Sequence, residues 1–268
     1  MKVGLMGFGR AGRAVASVLL ESTETQLQWV LRKSQILEHR SVPEFLGVYS
    51  EEPGLIYPKD EFSASELLGR FPVDVIVDFS SEQGIEYYGE EAAKRGVTII
   101  SAISNYSKEK LDFISELSTR TRVLYSPNIT LGINFLIIAA KILKRIAPYT
   151  DIEIVEEHFK KKQEVSGTAK KIAQSLDMPE DAIKSLRAGG IIGVHEILFG
   201  SPYQTIRLKH ESIAREAFGN GVLFAIRHMP ETATGLYSME DLMIPYFQIN
   251  KHESEYIEAD TQPWWWIW

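Results

Sequence analysis

The sequence predicts an α/β protein: a doubly wound parallel sheet joined to a second, smaller α+β domain with a mixed sheet. Three observations carry this expectation. Over the first half of the chain, apolar runs of strand length alternate with segments of helical period, the pattern of parallel βαβ units. A glycine-rich turn at the N-terminus joins a strand directly to a helix. After Pro127 the pattern changes to a long helix followed by β-rich runs close enough to pair with one another.

Lys2 to Met6 is apolar throughout its end and reads as a buried first strand. Gly7 to Gly12 forms the turn, and Ala11, Val15, Val18 and Leu19 then recur at helical spacing. Further strands fit at Leu27 to Leu31, Val73 to Phe79, Val97 to Ser101 and Val123 to Ser126, with helices around Gly84 to Lys94 and Ser107 to Thr119. Beyond Pro127, a helix near Asn134 to Ala147 leads to a strand at Ile152 to His158 and a short helix from Thr168. Ile191 to Phe199 and Gln204 to His210 are spaced for an antiparallel pair. The expected division is a dinucleotide-binding domain at 1–127, completed by 229–268, and a substrate-binding and oligomerisation domain at 128–228.

The 268 residues carry 29 Lys+Arg against 36 Asp+Glu, a formal charge of −7, which argues against a nucleic-acid partner. No cysteine is present, so disulfides, thiolate metal sites and cysteine nucleophiles are all excluded. Apolar stretches such as Phe135 to Ala140 fall far short of the roughly 20 residues of a membrane span, and Arg10 and Arg13 interrupt any signal-peptide core. The chain therefore reads as cytoplasmic, with no membrane partner. Its histidines, at 39, 158, 195, 210, 228 and 252, show no HxxxH or HExxH spacing, and no metal is expected.

Gly7, Gly9 and Gly12 form GxGxxG between the first strand and first helix, the arrangement of a Rossmann-type nucleotide site. The first glycine makes the tight turn, the second lets a pyrophosphate approach the backbone, and the third lets helix and strand pack closely. Free N–H groups at the helix start then hold the phosphates. At the end of the second strand, where NAD-specific folds place an acidic residue, stand Arg32 and Lys33. Two cations suit a ribose 2′-phosphate, so NADPH is expected over NADH; the alternative is a solvated basic loop.

Residues 151–169 read DIEIVEEHFKKKQEVSGTA. On a strand, Ile152, Ile154, Glu156 and His158 share one face. Lys162 follows in the next loop, and Ser166, Gly167 and Thr168 have the form of a helix start, with a hydroxyl to cap it. An imidazole, an ammonium and free helix N–H groups converging in one loop would suit a carboxylate-bearing substrate with a proton donor beside it. The plainer alternatives are a structural histidine, a wet run at Lys160, Lys161 and Lys162, and a simple cap.

GFGRAGR at 7–13, VDFS at 77–80, SPNITLGIN at 126–134, EEHFKKK with SGTA at 156–169, and RAGGIIGVHEILF at 187–199, in that order, together resemble the 4-hydroxy-tetrahydrodipicolinate reductase family, also called dihydrodipicolinate reductase. The resemblance runs from residue 1 to about 243. It implies a Rossmann domain with a mixed-sheet domain, a homo-oligomer (tetramer or dimer), and hydride transfer from NADPH or NADH to a carboxylated cyclic imine or enamine in lysine and diaminopimelate biosynthesis. Gly7, Gly9, Arg10 and Gly12 would hold the pyrophosphate, Arg32 and Lys33 the adenosine ribose, and Phe79, Ser80 and Ser101 would lie along the cofactor. His158 would orient the substrate, Lys162 would donate the proton, and Ser166, Gly167 and Thr168 would grip a carboxylate.

The chain also departs from that family's pattern. It has Ser101-Ala102-Ile103-Ser104 where the family has GTTG, and Phe159 where the family has a second histidine. Its loop from Lys162 to Ser166 is shorter and lacks the proline, and the stretch from Thr168 to Arg187 lacks a family segment. A phenyl group in place of a polar contact points to a less polar or differently shaped substrate. A paralogous reductase and a catalytically silent nucleotide-binding protein are the alternatives, and retention of both His158 and Lys162 argues against the silent one. The ending, Thr261 to Trp268, holds four of the five tryptophans and reads as a surface that packs on the chain itself or on a sister subunit.

Overall fold

The computed structural model describes residues 1–51 and 54–248. The N-terminal part is β1 (Lys2–Met6), α1 (Arg10–Glu21), β2 (Gln26–Arg32), α2 (Val42–Leu46), β3 (Leu55–Pro58), α3 (Ala64–Arg70), β4 (Val75–Asp78), α4 (Gly84–Arg95), β5 (Thr98–Ser101), α5 (Lys108–Ser118) and β6 (Arg122–Tyr125). The remainder is α6 (Leu131–Ile146), β7 (Asp151–His158), α7 (Gly167–Ser175), β8 (Ile183–Arg187), β9 (Val194–Ser201), β10 (Gln204–Glu211), α8 (Ala217–His228), β11 (Gly235–Tyr237) and α9 (Met239–Met243).

Seven strands form one sheet in the order β11-β6-β5-β4-β1-β2-β3, and every neighbouring pair is parallel. Parallel strands are buried on both sides, and the alternation of side chains sorts them into two cores. Val3 and Leu5 of β1 and Val75 and Val77 of β4 join Val15 and Leu19 of α1. Met6 and Ile76 point the other way, toward Leu67 of α3, Ile85 of α4 and Ile114 of α5. Strand order reverses between β1 and β4, so a crevice opens at their carboxyl ends, where doubly wound folds bind ligands.

A second sheet has the order β10-β9-β7-β8. β9 runs antiparallel to both β7 and β10, and β8 is parallel to β7. Ile154, Ile197 and Phe199 on one face pack under Ile133, Leu136 and Ile137 of α6 and Ile172 and Ala173 of α7. α6 ties the two halves together: Ile138 and the preceding Ile129 belong to the first core, while Ile133 and Ile137 belong to that of the second sheet.

The expected strands and helices up to Ser126 appear within a few residues of their predicted bounds. Differences arise where local pattern is weak. β8, with only Ile183 buried, is held by its ladder to β7 and carries little apolar signal of its own. α8, expected inside the second domain, packs its Val222, Ala225 and Ile226 into the first core, and Gly219 lies against Val18 of α1. β11 pairs with β6, and Met239, Leu242 and Met243 of α9 are buried beside it, so 229–248 joins the first sheet. The tryptophans at 264–266 and 268 lie outside the described residues; Trp29 is fully buried and donates its Nε1–H to Phe71 O at 3.0 Å.

Candidate active site

The glycine turn has the geometry its spacing suggested. Gly7 has φ +94°, and a Cβ there would stand 2.6 Å from Phe79 O; a Cβ on Gly12 would stand 2.1 Å from Gly7 O. Both positions therefore accept only glycine, as a tight turn packed against the next strand's end requires. At Gly9, by contrast, no atom beyond its two chain neighbours lies within 4 Å of an added Cβ, so the lack of a side chain there answers to no tertiary contact. Gly9 is also the N-cap of α1, with no side-chain cap and no acidic residue in the first turn. A helix start left uncapped beside open space fits an anionic ligand, and its N–H groups suit a pyrophosphate.

Around this turn, Arg10 is exposed, and Arg32, at the end of β2, donates from Nη1 to Ile36 O at 2.7 Å while Lys33 is exposed. Phe79 is half-buried and Ser80 exposed on the loop after β4. That loop is anchored by Asp78, whose Oδ1 accepts from Ser80 N at 2.8 Å and Ser80 Oγ at 2.6 Å, and whose Oδ2 accepts from Tyr88 at 2.9 Å. Burial raises the Asp78 pKa, with the Ser80 and Tyr88 bonds acting against it. Ser101 has its hydroxyl bonded to Tyr106 at 2.8 Å and no exposed surface, which leaves its side chain turned away from solvent.

A cleft of about 360 Å³ lies between the sheets, lined by Ala11, Phe79 and Ala102 from one side and by His158, Thr168 and His195 from the other. Asn128, where the chain crosses from β6 to α6, donates its amide to Thr168 Oγ1 at 3.0 Å, and its Oδ1 accepts from Thr130. Arg215, before α8, also lines the cleft. Neither Asn128 nor Arg215 was singled out in the sequence, since both sit in loops that carry no periodic pattern.

On β7, Ile154, Glu156 and His158 share the buried face, as alternation requires. α7 begins with Ser166, whose Oγ accepts from Ala169 N at 3.0 Å and meets His195 Nε2 at 3.0 Å. The N–H groups of Gly167 and Thr168 precede the first helical bond of that turn and are free to meet an anion. Glu156 has no exposed surface. Burial would raise its pKa, but bonds from Ser166, Arg187 and Ser185 outweigh this and hold it at about 2. His158 is pushed below the usual histidine range by burial and by the charge of Lys162, against the pull of Glu156. Lys162 is lowered by burial and by Arg187, with Glu156 opposing, and His195 is pushed down to about 3 by burial and by His158.

The ligand-type atoms of Glu156, His158 and His195 lie within 4.8 Å of one another, a grouping that sequence spacing did not reveal because the third member comes from β9. The Glu156 carboxylate is already bonded to Arg187, and Lys162 stands near, so the cluster is balanced by cations of the protein itself. The missed contributors, Ser185 and Arg187, arrive on β8, the strand with the weakest apolar signal.

Two family profiles match the chain: dihydrodipicolinate reductase, N-terminus, over 1–129, and dihydrodipicolinate reductase, C-terminus, over 128–243. A 4-hydroxy-tetrahydrodipicolinate reductase of Caldanaerobacter subterraneus subsp. tengcongensis is 31% identical over 257 residues, 88% of this chain and 94% of the relative. One from Syntrophus aciditrophicus is 29% identical over 266 residues, covering 88% and 96%. Among solved structures, a dipicolinate-bound dihydrodipicolinate reductase from Paenisporosarcina sp. TG-14 superposes with a TM-score of 0.72 at 23% identity, over 89% of this chain and 97% of that one. An amine dehydrogenase from Mycobacterium smegmatis shares the fold at a TM-score of 0.65 and 11% identity, over 90% and 95%. With both halves matched in order along one chain, and Ala11 of the glycine turn brought to one cleft with His158 and Thr168 from either side of the β7–α7 loop, the chain belongs to the dihydrodipicolinate reductase family.

Proposed function

We propose that this chain is an NAD(P)H-dependent reductase acting on 4-hydroxy-tetrahydrodipicolinate, a carboxylated cyclic imine, in lysine and diaminopimelate biosynthesis, with NADPH preferred over NADH. The observation that carries this reading is the single cleft lined by Ala11 and Phe79 beside the glycine turn and by His158 and Thr168 from the other sheet. When bound, the nicotinamide supplies the hydride. Gly7, Gly9, Arg10 and Gly12 bind the pyrophosphate, Arg32 and Lys33 meet the 2′-phosphate, and Phe79 and Ser80 line the cofactor's path.

The N–H groups of Gly167 and Thr168, with the Thr168 hydroxyl, grip a substrate carboxylate. His158, neutral near pH 7 because burial disfavours its charge, orients the substrate by hydrogen bonding. The substrate's hydroxyl leaves as water to give a conjugated cyclic imine that takes the hydride, and Lys162 donates a proton from Nζ to the carbon beside the one reduced, a transfer its lowered pKa eases. Alignment of this kind can supply roughly 7–11 kcal/mol. Assembly as a dimer or tetramer belongs to the same reading, supported by the exposed edge strand β10, where Ile206 meets solvent, and by the exposed Tyr203 in the turn before it.

The test is NADPH oxidation with freshly generated hydroxy-tetrahydrodipicolinate against a panel of other cyclic imino acids. The expected result is turnover with that substrate, a kcat in Lys162→Ala lowered on the order of a hundredfold, and an NADPH Kd within about twofold of wild type. Turnover confined to another imine overturns the substrate, a wild-type kcat overturns the role of Lys162, and comparable kcat/KM with NADH overturns the cofactor preference.

A further inference from the structure

Glu156 has no chemical role in the reaction above, yet the parts of the site meet at its carboxylate. Its Oε2 lies 3.3 Å from His158 Nδ1, a charge contact without hydrogen-bond geometry, and accepts the Ser166 N–H at 3.1 Å. Its Oε1 accepts from Ser185 Oγ at 2.7 Å and from Arg187 Nη2 at 2.7 Å. Arg187 reaches onward, donating from Nε to Lys162 O at 2.9 Å and from Nη2 to Glu164 O at 2.9 Å. Two side chains thus touch the imidazole, the backbone under the lysine and the first turn of α7 together.

The loop between β7 and α7 has little else to order it. Phe159 is 44% exposed, and Lys160, Lys161, Gln163 and Glu164 are also exposed. Its other backbone ties are Lys162 N to Phe159 O at 3.0 Å and Lys160 N to Gly189 O at 3.2 Å. A buried ion pair is a poor way to gain stability, because apolar groups of the same volume often do as well. It is a good way to fix position, since a guanidinium binds a carboxylate and carbonyls in one rigid plane.

We propose that the Glu156–Arg187 pair is the positioning device of this active site: Glu156 fixes the start of α7 and sets the charge beside the His158 imidazole, and Arg187 holds the backbone that carries Lys162. The proposal rests on the roles given to His158 and Lys162 above. Glu156 has no exposed surface, and Arg187 spends its donors on Glu156, on Leu186 O and on the loop carbonyls, so both act through other residues.

Two variants test it. Arg187→Lys keeps a cation beside Glu156 but cannot span the carboxylate and both carbonyls. Amide hydrogen exchange over 160–166 is expected to accelerate at least about tenfold, with global unfolding nearly unchanged, because the loop opens locally. Unchanged exchange overturns the proposal. In steady state, kcat is expected to fall on the order of tenfold to a hundredfold in Arg187→Lys, and by much less when Lys162 is already alanine. A full, additive loss in that background overturns action through Lys162.

Glu156→Gln keeps the shape and removes the charge. His158 is faced by Glu156, Lys162, Arg187 and His195, and Glu156 is the anion among them. Its NMR titration midpoint is therefore expected to move to lower pH, and an unmoved midpoint overturns the part given to Glu156. If Lys162→Ala keeps wild-type kcat, the reading of Lys162 fails, while the exchange and NMR measurements still decide the positioning role.

Discussion

At the scale of single residues, the three glycines of the first turn have separable tasks, which makes them testable one at a time. A Cβ on Gly12 would stand 2.1 Å from a backbone carbonyl, where nothing flexible can yield. Gly12→Ala should destabilise by about 1–3 kcal/mol, the usual cost of overpacking, and lower the denaturant midpoint. Gly9→Ala should leave the midpoint unchanged, because no atom beyond its chain neighbours is near, but weaken NADPH binding measured by fluorescence titration. If Gly9→Ala lost stability and kept its affinity, the open space beside Gly9 would have no connection with a ligand. Lys162 carries a prediction of its own. Because it is lowered from the ordinary lysine value and, as the proposed proton donor, must be protonated to act, kcat/KM should fall on the alkaline side at a pH below that value.

At the scale of elements, β7, β9 and α7 bury titratable groups whose states link folding to pH. Glu156 sits at about 2 when folded against roughly 4.3 unfolded, so its stabilisation is present above about pH 4.3 and is lost as pH falls toward 2. His195 sits at about 3 against roughly 6.5 unfolded, so the folded form gains from it above about pH 6.5 and loses that gain as pH falls through 3. Folding stability, followed by the thermal midpoint, should therefore drop in two overlapping stages on acidification, by several kcal/mol in all. His195→Gln should flatten the slope between about pH 6.5 and 4.5 and leave the lower stage. An unchanged slope would mean that His195 is not the group held neutral. Elsewhere, α8 crosses α1 at Gly219, where a Cβ would lie 2.5 Å from Val18 Cβ. Gly219→Ala should destabilise, and Val18→Ala in the same chain should recover part of the loss, measured by a double-mutant cycle in urea.

At the scale of the whole molecule, the cleft exists because two sheets are held at a fixed offset by α6 and by the Asn128–Thr168 hydrogen bond. No helix among the described residues is long and apolar enough to cross a membrane. A ligand that binds only the folded cleft must raise its stability by mass action, about 2.7 kcal/mol at a hundred times Kd. NADPH should accordingly shift the thermal midpoint upward by several degrees, more than NADH at equal concentration if Arg32 and Lys33 meet the 2′-phosphate. Equal shifts would leave those two cations as a solvated loop. Asn128→Ala should leave the NADPH-induced shift in place yet raise KM for substrate, since it frees Thr168, the proposed carboxylate contact.

The sequence alone determined what depends on neighbours along the chain. Strand and helix period marked most of the first sheet, GxGxxG marked the turn, and alternation on β7 placed Glu156 beside His158 because side chains two apart on a strand must share a face. The Ser166 cap at the start of α7 was legible for the same reason, a short-range hydrogen bond written in residue type. Only the tertiary structure decided which distant segments complete the site. β8 forms through its ladder to β7 and brings Arg187 to Glu156, His195 comes from β9 to meet Ser166, and α8 turns back onto α1. Contacts of that kind arise from burial and charge pairing between segments far apart in the chain, and no local periodicity records them.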